Sequence, residues 1–309
     1  MRQTSLGRLL AAALLCGALA LAWAQSRSPL ARALAQGRPV LGWLALDSSG
    51  AGQAPALFFT VYQPVSRTLD LVYLPGGPRA GRKEIRPAGT CGTSDTAGAK
   101  GLPSEEAAGA QLAALAPAVG IGPGLPVWRG TLPPASGEPP LDAADWMARR
   151  IHEPRSWPKT FSPSGIATWS WFDRLALALE LQRLRPESLR PAWLPPEDQA
   201  GSLINRLILG SGGPPAPERI TVEVLNASTK PGIASRAKNI LRLKGADVMS
   251  VGNVAGQGRT VVYDRMGRFE NAAAVARMLD CPTARPLTQV DLKRVVDVSV
   301  VLAEDCPLP

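Results

Sequence analysis

The side chains that usually carry nucleophilic, acid–base or metal chemistry are scarce in this chain, and their spacing limits what they could do. His152 is its one histidine, flanked by Ile151 and Glu153 with no nucleophile motif beside it, so a Ser-His-Asp or Cys-His site has nowhere to assemble. It reads as a structural or solvated residue. The four cysteines, Cys16, Cys91, Cys281 and Cys306, include no C-x-x-C pair, and with a single histidine they make no zinc site. Gly76-Gly77 and Gly210-Ser211-Gly212-Gly213 lack the Lys and Ser/Thr of a phosphate loop. What remains is the turn Asn226-Ala227-Ser228-Thr229-Lys230-Pro231-Gly232. Asn226 can bond its own turn backbone, and the amides at the helix start that follows could bind an anion. Asn226, Ser228, Lys230 and Gly232 are therefore candidate binding residues; the competing reading is that Asn226 and Gly232 only shape the turn.

The N-terminus sets the compartment. Arg2 and Arg8 form a positive start, residues 9–24 are an uncharged run rich in Leu and Ala, and Ala22-Trp23-Ala24 offers a small-x-small cleavage site. The chain reads as exported, to the periplasm or another extracytoplasmic space. Sixteen residues of helix rise ~24 Å against a hydrocarbon core of ~30 Å, which leaves open a cleaved signal peptide over residues 1–24 and a short uncleaved inner-membrane anchor over 9–24. Cys16 follows Ala13-Leu14-Leu15, without the small residue expected before a lipidated cysteine. Outside the cytoplasm thiols can persist as disulfides. Cys281 falls after a predicted helix and Cys306 after a predicted final strand, so the two could staple the C-terminus, with Cys91 left over.

The elements that must position these residues follow from composition and periodicity. A length of 309 residues and a mass of 32.5 kDa suit one or two folded units. Apolar residues at 45% and charged ones at 19% exclude a wholly disordered chain, while 30 Gly and 30 Pro require many turns and irregular segments. The net charge of +9 is spread without a run of five like charges, so no nucleic acid is expected as a partner. Diffuse basicity suits an anionic envelope surface, or solubility alone.

Residues 39–47, 56–62 and 68–74 are apolar, β-branched and aromatic runs that predict three strands, the last two joined by a hairpin-like turn at 63–67. Residues 75–140 are rich in Gly, Pro, Ala, Ser and Thr, with one predicted helix near 104–115. Helical periodicity returns at 141–150 and 170–185, where Pro186 ends the second helix. The Trp-rich link at 157–171 fits core packing better than a stacking platform. Residues 210–217 (GSGGPPAP) read as a linker. Beyond it, Ile220, Val222 and Val224 alternate as a strand, and Ile233, Ala237, Ile240 and Leu241 repeat as a helix stopped by Gly245. Strands are predicted at 247–254, 259–263 and 295–302, with a helix at 271–279. The order βαββαβ is that of a small split-βαβ sandwich, and the whole chain reads as α/β to α+β.

Residues 219–306, through ITVEVLNASTKPGIASRAKNILRLKGADVMSVGN, GRTVVYDR and VVDVSVVLAEDC, resemble the LytR C-terminal domain, an accessory module of envelope proteins. The segment 42–49 with ALFFTVYQP and TLDLVYLPGG is similar to the opening strands of the LytR-CpsA-Psr (LCP) family, whose catalytic domain that module commonly follows. The resemblance divides the chain into an LCP-like mixed sheet with helices at 37–209, the linker at 210–217 and the LytR C-terminal-like domain at 218–309. LCP enzymes transfer polyprenyl-pyrophosphate-linked glycopolymers to peptidoglycan, using acidic residues for Mg²⁺ and arginines for the pyrophosphate. The resemblance implies Asp47 as the metal-holding carboxylate and Arg149, Arg150 and Arg174, with Asp173 beside it, as the later charged motifs. The second acidic position falls on Pro55, and the Arg-Asp after the third strand falls on Gly76 and Gly77. Each lost phosphate ligand removes a few kcal/mol of transition-state stabilisation, on the order of what oxyanion-hole donors contribute. The expected function is non-catalytic binding, with no cofactor, of an envelope glycopolymer, a lipid-linked glycan or an envelope protein. The alternative is an LCP-type phosphotransferase that uses Mg²⁺, Asp47 and the three arginines. A third reading makes the first domain a scaffold that presents the second.

Overall fold

An apolar run without alternation, such as ALFFTVY, is satisfied only when both faces of its strand are covered. A computed structural model describes residues 28–48, 56–74, 127–132, 138–151, 153, 171–209 and 219–308, together with 12, 13, 15–17, 20 and 23 ahead of them. In it β1 (Val40–Ser48), β2 (Ala56–Gln63) and β3 (Thr68–Leu74) form an antiparallel meander, matching the three predicted runs. β4 (Val127–Leu132) pairs parallel to β1, and β5 (Leu189–Trp193) parallel to β3.

Both faces of this half are covered. Leu44, Leu46, Phe58, Tyr62, Leu69 and Leu71 pack against α1 (Pro29–Ala35), α2 (Pro139–Ile151) and α3 (Trp171–Leu181). Trp43, Phe59, Val61 and Val72 take the other face, with Ile204 of α4 (Glu197–Leu209) over them. Tyr62 bridges the layers by donating to Glu180 Oε2 at 3.2 Å, and burial with the Glu180 charge pushes its phenol up to about 12.

The C-terminal half begins with β6 (Thr221–Asn226), α5 (Ile233–Leu243), β7 (Asp247–Asn253) and β8 (Val261–Asp264). It continues through α6 (Phe269–Met278), β9 (Arg285–Thr288) and β10 (Val298–Leu302). Val222, Val224, Val262, Val298 and Val300 meet Ile233, Ala237 and Leu241 of α5 and Ala272 and Val275 of α6 in one core. The predicted βαββαβ order is present with one strand added, β9. Its sequence RPLT is four residues long with an internal Pro, too short to show a period.

That added strand joins the halves. The strands of the described residues form one ten-stranded mixed sheet in the order β4-β1-β2-β3-β5-β9-β8-β10-β6-β7, with β5 and β9 meeting in parallel at Ala192 and Thr288. The polar stretch ahead of residue 39 holds α1, started by Ser28, whose Oγ accepts from Ala31 N at 2.9 Å. The predicted helix at 104–115, most of the Trp-rich link, the 210–217 linker and Cys91 lie outside the described residues. No helix among the described residues is long and apolar enough to cross a membrane.

Candidate functional site

The joint between the halves holds a cleft of about 370 Å³ lined by Glu138, Ala255, Gly256, Gln257, Gly258, Arg259 and Tyr263. Glu138 precedes α2, whose opening Pro139 and Pro140 occupy first-turn positions where a missing N–H costs nothing. Tyr263 lies on β8 beside Val261 in a small apolar cluster that also takes Leu141 and Trp193 from the first half. A buried Tyr ring needs a partner for its hydroxyl. Tyr263 Oη donates to Glu138 Oε1 at 2.8 Å and accepts from Gln257 Nε2 at 2.7 Å. Trp193 Nε1 donates to Glu138 Oε2 at 3.1 Å, so Glu138 is held by residues of both halves. Burial and the neighbouring Glu138 carboxylate raise the Tyr263 phenol well above its ordinary range, which keeps it a hydrogen-bond donor.

Ion pairs extend this network along α2. Arg259 Nη1 lies 3.5 Å from Asp142 Oδ1 and 3.3 Å from Asp145 Oδ2, and Arg285 Nη2 meets Asp145 Oδ1. Asp142 and Asp145 are three apart and share a helix face, so both carboxylates point to the C-terminal half. The rim of the cleft is tied to the C-terminus. Thr260 Oγ1 donates to Asp305 Oδ1 at 2.6 Å, Ala303 N donates to Thr260 Oγ1 at 3.0 Å, and Thr283 Oγ1 donates to Asp305 O at 3.0 Å. Cys281 and Cys306 form a disulfide beside these bonds, with Cα atoms 5.6 Å apart.

The turn at 226–232 is closed on itself. Asn226 Oδ1 accepts from Ser228 N at 2.9 Å and from Ser228 Oγ at 2.7 Å, while its Nδ2 donates to Lys230 O at 3.0 Å. Lys230 Nζ donates to Glu304 O at 3.0 Å, and Thr229 Oγ1 donates to Glu304 Oε1 at 2.7 Å. The Thr229 hydroxyl and amide hold the Glu304 carboxyl below its usual range. Gly232, with φ of 75°, occupies the left-handed region that glycine reaches without strain. Asn226, Ser228 and Gly232 thus shape the turn, and the Lys230 ammonium ties it to Glu304.

The residues implied by the LCP resemblance lie on three elements, β1, α2 and α3. Asp47 stands in β1 opposite Thr131 of β4, and Arg174 in α3. Arg149 is exposed near the end of α2; Arg150 reaches Glu153 at 3.3 Å and covers the Trp146 ring at 5.9 Å. No group of three or more His, Cys, Asp or Glu side chains among the described residues could hold a metal ion. Sequence reasoning missed Glu138, Asp142, Asp145, Gln257, Arg259 and Tyr263. The one available signal was the acidic pair Asp142 and Asp145 at i, i+3 on one helix, of which Asp142, in the first turn, also has an ordinary meaning as compensation of the helix dipole.

Comparison with known proteins places residues 219–305 in the family described as LytR cell envelope-related transcriptional attenuator. The match covers 87 of the 309 residues, and no curated protein matches the chain. The C-terminal domain of RV0431, solved in solution, is 28% identical, with 30% of this chain and 80% of that chain covered and a TM-score of 0.21. The chain thus carries a LytR C-terminal, cell-envelope-related domain.

Proposed function

We propose that this is an exported cell-envelope protein that binds an envelope glycopolymer through its C-terminal half and carries out no catalysis. The match of residues 219–305 to a cell-envelope family is the observation on which this reading rests. The signal-like segment at 1–24 supports export, and the surplus of +9 favours an anionic polymer as the long-range attractor. Loss of charge at Pro55, Gly76 and Gly77 supports binding over phosphoryl transfer, since a migrating phosphate needs cations held in place. Co-sedimentation of the full chain with intact cell-wall sacculi tests the proposal. The expected outcome is retention that weakens as salt rises from 50 to 500 mM, in keeping with charge screening. A chain that stays wholly in the supernatant at low salt contradicts it.

A further inference from the structure

We infer that the cleft between the two halves is a binding site for a neutral, multiply hydroxylated ligand, a short glycan segment. This rests on the envelope-binding reading above and adds the place and the chemistry. The lining is polar and convergent: a carboxylate (Glu138), a primary amide (Gln257), a guanidinium (Arg259) and a phenol (Tyr263) face one space of about 370 Å³, within the range of small-molecule sites. Tyr263 Oη donates to Glu138, and Gln257 Nε2 donates to Tyr263 and Glu138, so the side chains offer a ligand chiefly carboxylate and amide oxygens, to which sugar hydroxyls can donate. The loop 255–258 adds backbone to the same wall. Among the described residues, the amides of Ala255, Gly256, Gln257 and Gly258 have no acceptor, and Gly256 and Gly258 expose the main chain with no side chain over it.

Local charge selects against an anion here. Glu138, Asp142 and Asp145 outnumber Arg259 and Arg285, and both guanidiniums are already committed to Asp145, Arg259 to Asp142 as well. An incoming phosphate or carboxylate would meet the Glu138 oxygens, whereas a hydroxyl can donate to them. The wall comes from both halves, Glu138 from the first and 255–263 from the second, so a ligand there also strengthens their joint and raises the melting temperature with concentration.

Titration calorimetry and hydrogen–deuterium exchange on the full chain in a mild detergent test this, with an N-acetylglucosamine tetramer as the neutral probe and polygalacturonate as the anionic one. The tetramer is expected to bind and to slow exchange at 255–263. The Gly258→Leu chain is expected to lose at least tenfold in affinity. Residue 258 has open space at Cβ and no left-handed backbone, so the leucine fills the cleft without straining the loop. Glu138→Gln is expected to weaken the tetramer by about tenfold, as removal of a charged acceptor does. Tetramer binding that Gly258→Leu leaves unchanged, protection elsewhere in the chain, or tighter binding of polygalacturonate at 255–263 overturns the inference. Failure of the tetramer while sacculi still retain the chain overturns the cleft assignment alone; failure with both also overturns the envelope-binding reading.

Discussion

Asp70 is the residue whose surroundings disagree most with its chemistry. It sits in β3 opposite Arg190 of β5, fully desolvated, while Arg190 pairs with Glu270 of α6 at 2.9 Å. Desolvation raises the Asp70 carboxyl to about 7; the Arg190 charge pulls it down and Glu270 pushes it up. Asp264, buried nearby on β8, is raised to about 6 by the same cause, against hydrogen bonds from Thr288 and from the Met266 and Arg268 amides. The folded chain therefore holds these protons more tightly than the unfolded chain does. Their contribution to stability is full below about pH 4 and is lost as pH rises through about 6 to 7. Asp70→Asn is expected to flatten that slope and to gain on the order of a few kcal/mol over the native chain at pH 8 relative to pH 4. Urea denaturation of both chains at the two pH values checks it; parallel profiles would show that Asp70 is ionised alike in both states. None of this was legible in the sequence, because Asp70 alternates with Leu69 and Leu71 as any exposed strand residue would, and only the partner strand β5 reveals the burial.

At the scale of elements, legibility followed the length and purity of the apolar pattern. β1, β2 and β3 stand where their runs placed them, and α5 where its i, i+4 spacing placed it. β5 and β9, each with a proline inside it (Pro191 and Pro286), and the seven-residue α1 were silent, since each is too short to repeat a period and is held by its neighbours. The cleft was illegible for the same reason: its walls come from Glu138 and from residues 255–263, which lie on opposite sides of the β5–β9 joint. The described residues after β10, 303–308, form no helix or strand, and the Cys281–Cys306 bridge closes them, its ends 25 positions apart in sequence. A loop of that length is stabilised by about 3 kcal/mol when cross-linked. Reduction should lower the melting temperature of the native chain and leave a Cys281→Ser, Cys306→Ser chain unmoved, as read by circular dichroism with and without reductant. Because Asp305 holds Thr260, reduction should also speed amide exchange at 255–260; equal exchange in both states would separate the tail from the cleft.

The whole molecule is two halves built on one sheet. Each buries its own core, the first half on both faces of its strands, and a smaller cluster of Leu141, Val261, Tyr263, Leu287 and Val301, with Trp193 packed against it, belongs to neither half alone. Arg206 of α4 adds a polar clasp, donating to Met266 O at 2.7 Å and Gly267 O at 3.0 Å. Ion pairs at Arg190–Glu270 and Arg259–Asp145 cross the same joint. The exposed pairs contribute little individually, so the apolar cluster and the half-buried Glu138 hydrogen bonds set the strength of the union. Residues 210–217 stand between the two halves in sequence, while the sheet pairs strands from either side of them. Differential scanning calorimetry of the full chain and of a Trp193→Ala chain measures this union most directly. The account predicts one transition in the native chain, shifted as a whole to lower temperature by the substitution; two separate transitions, with only the first-half one moved, would contradict it.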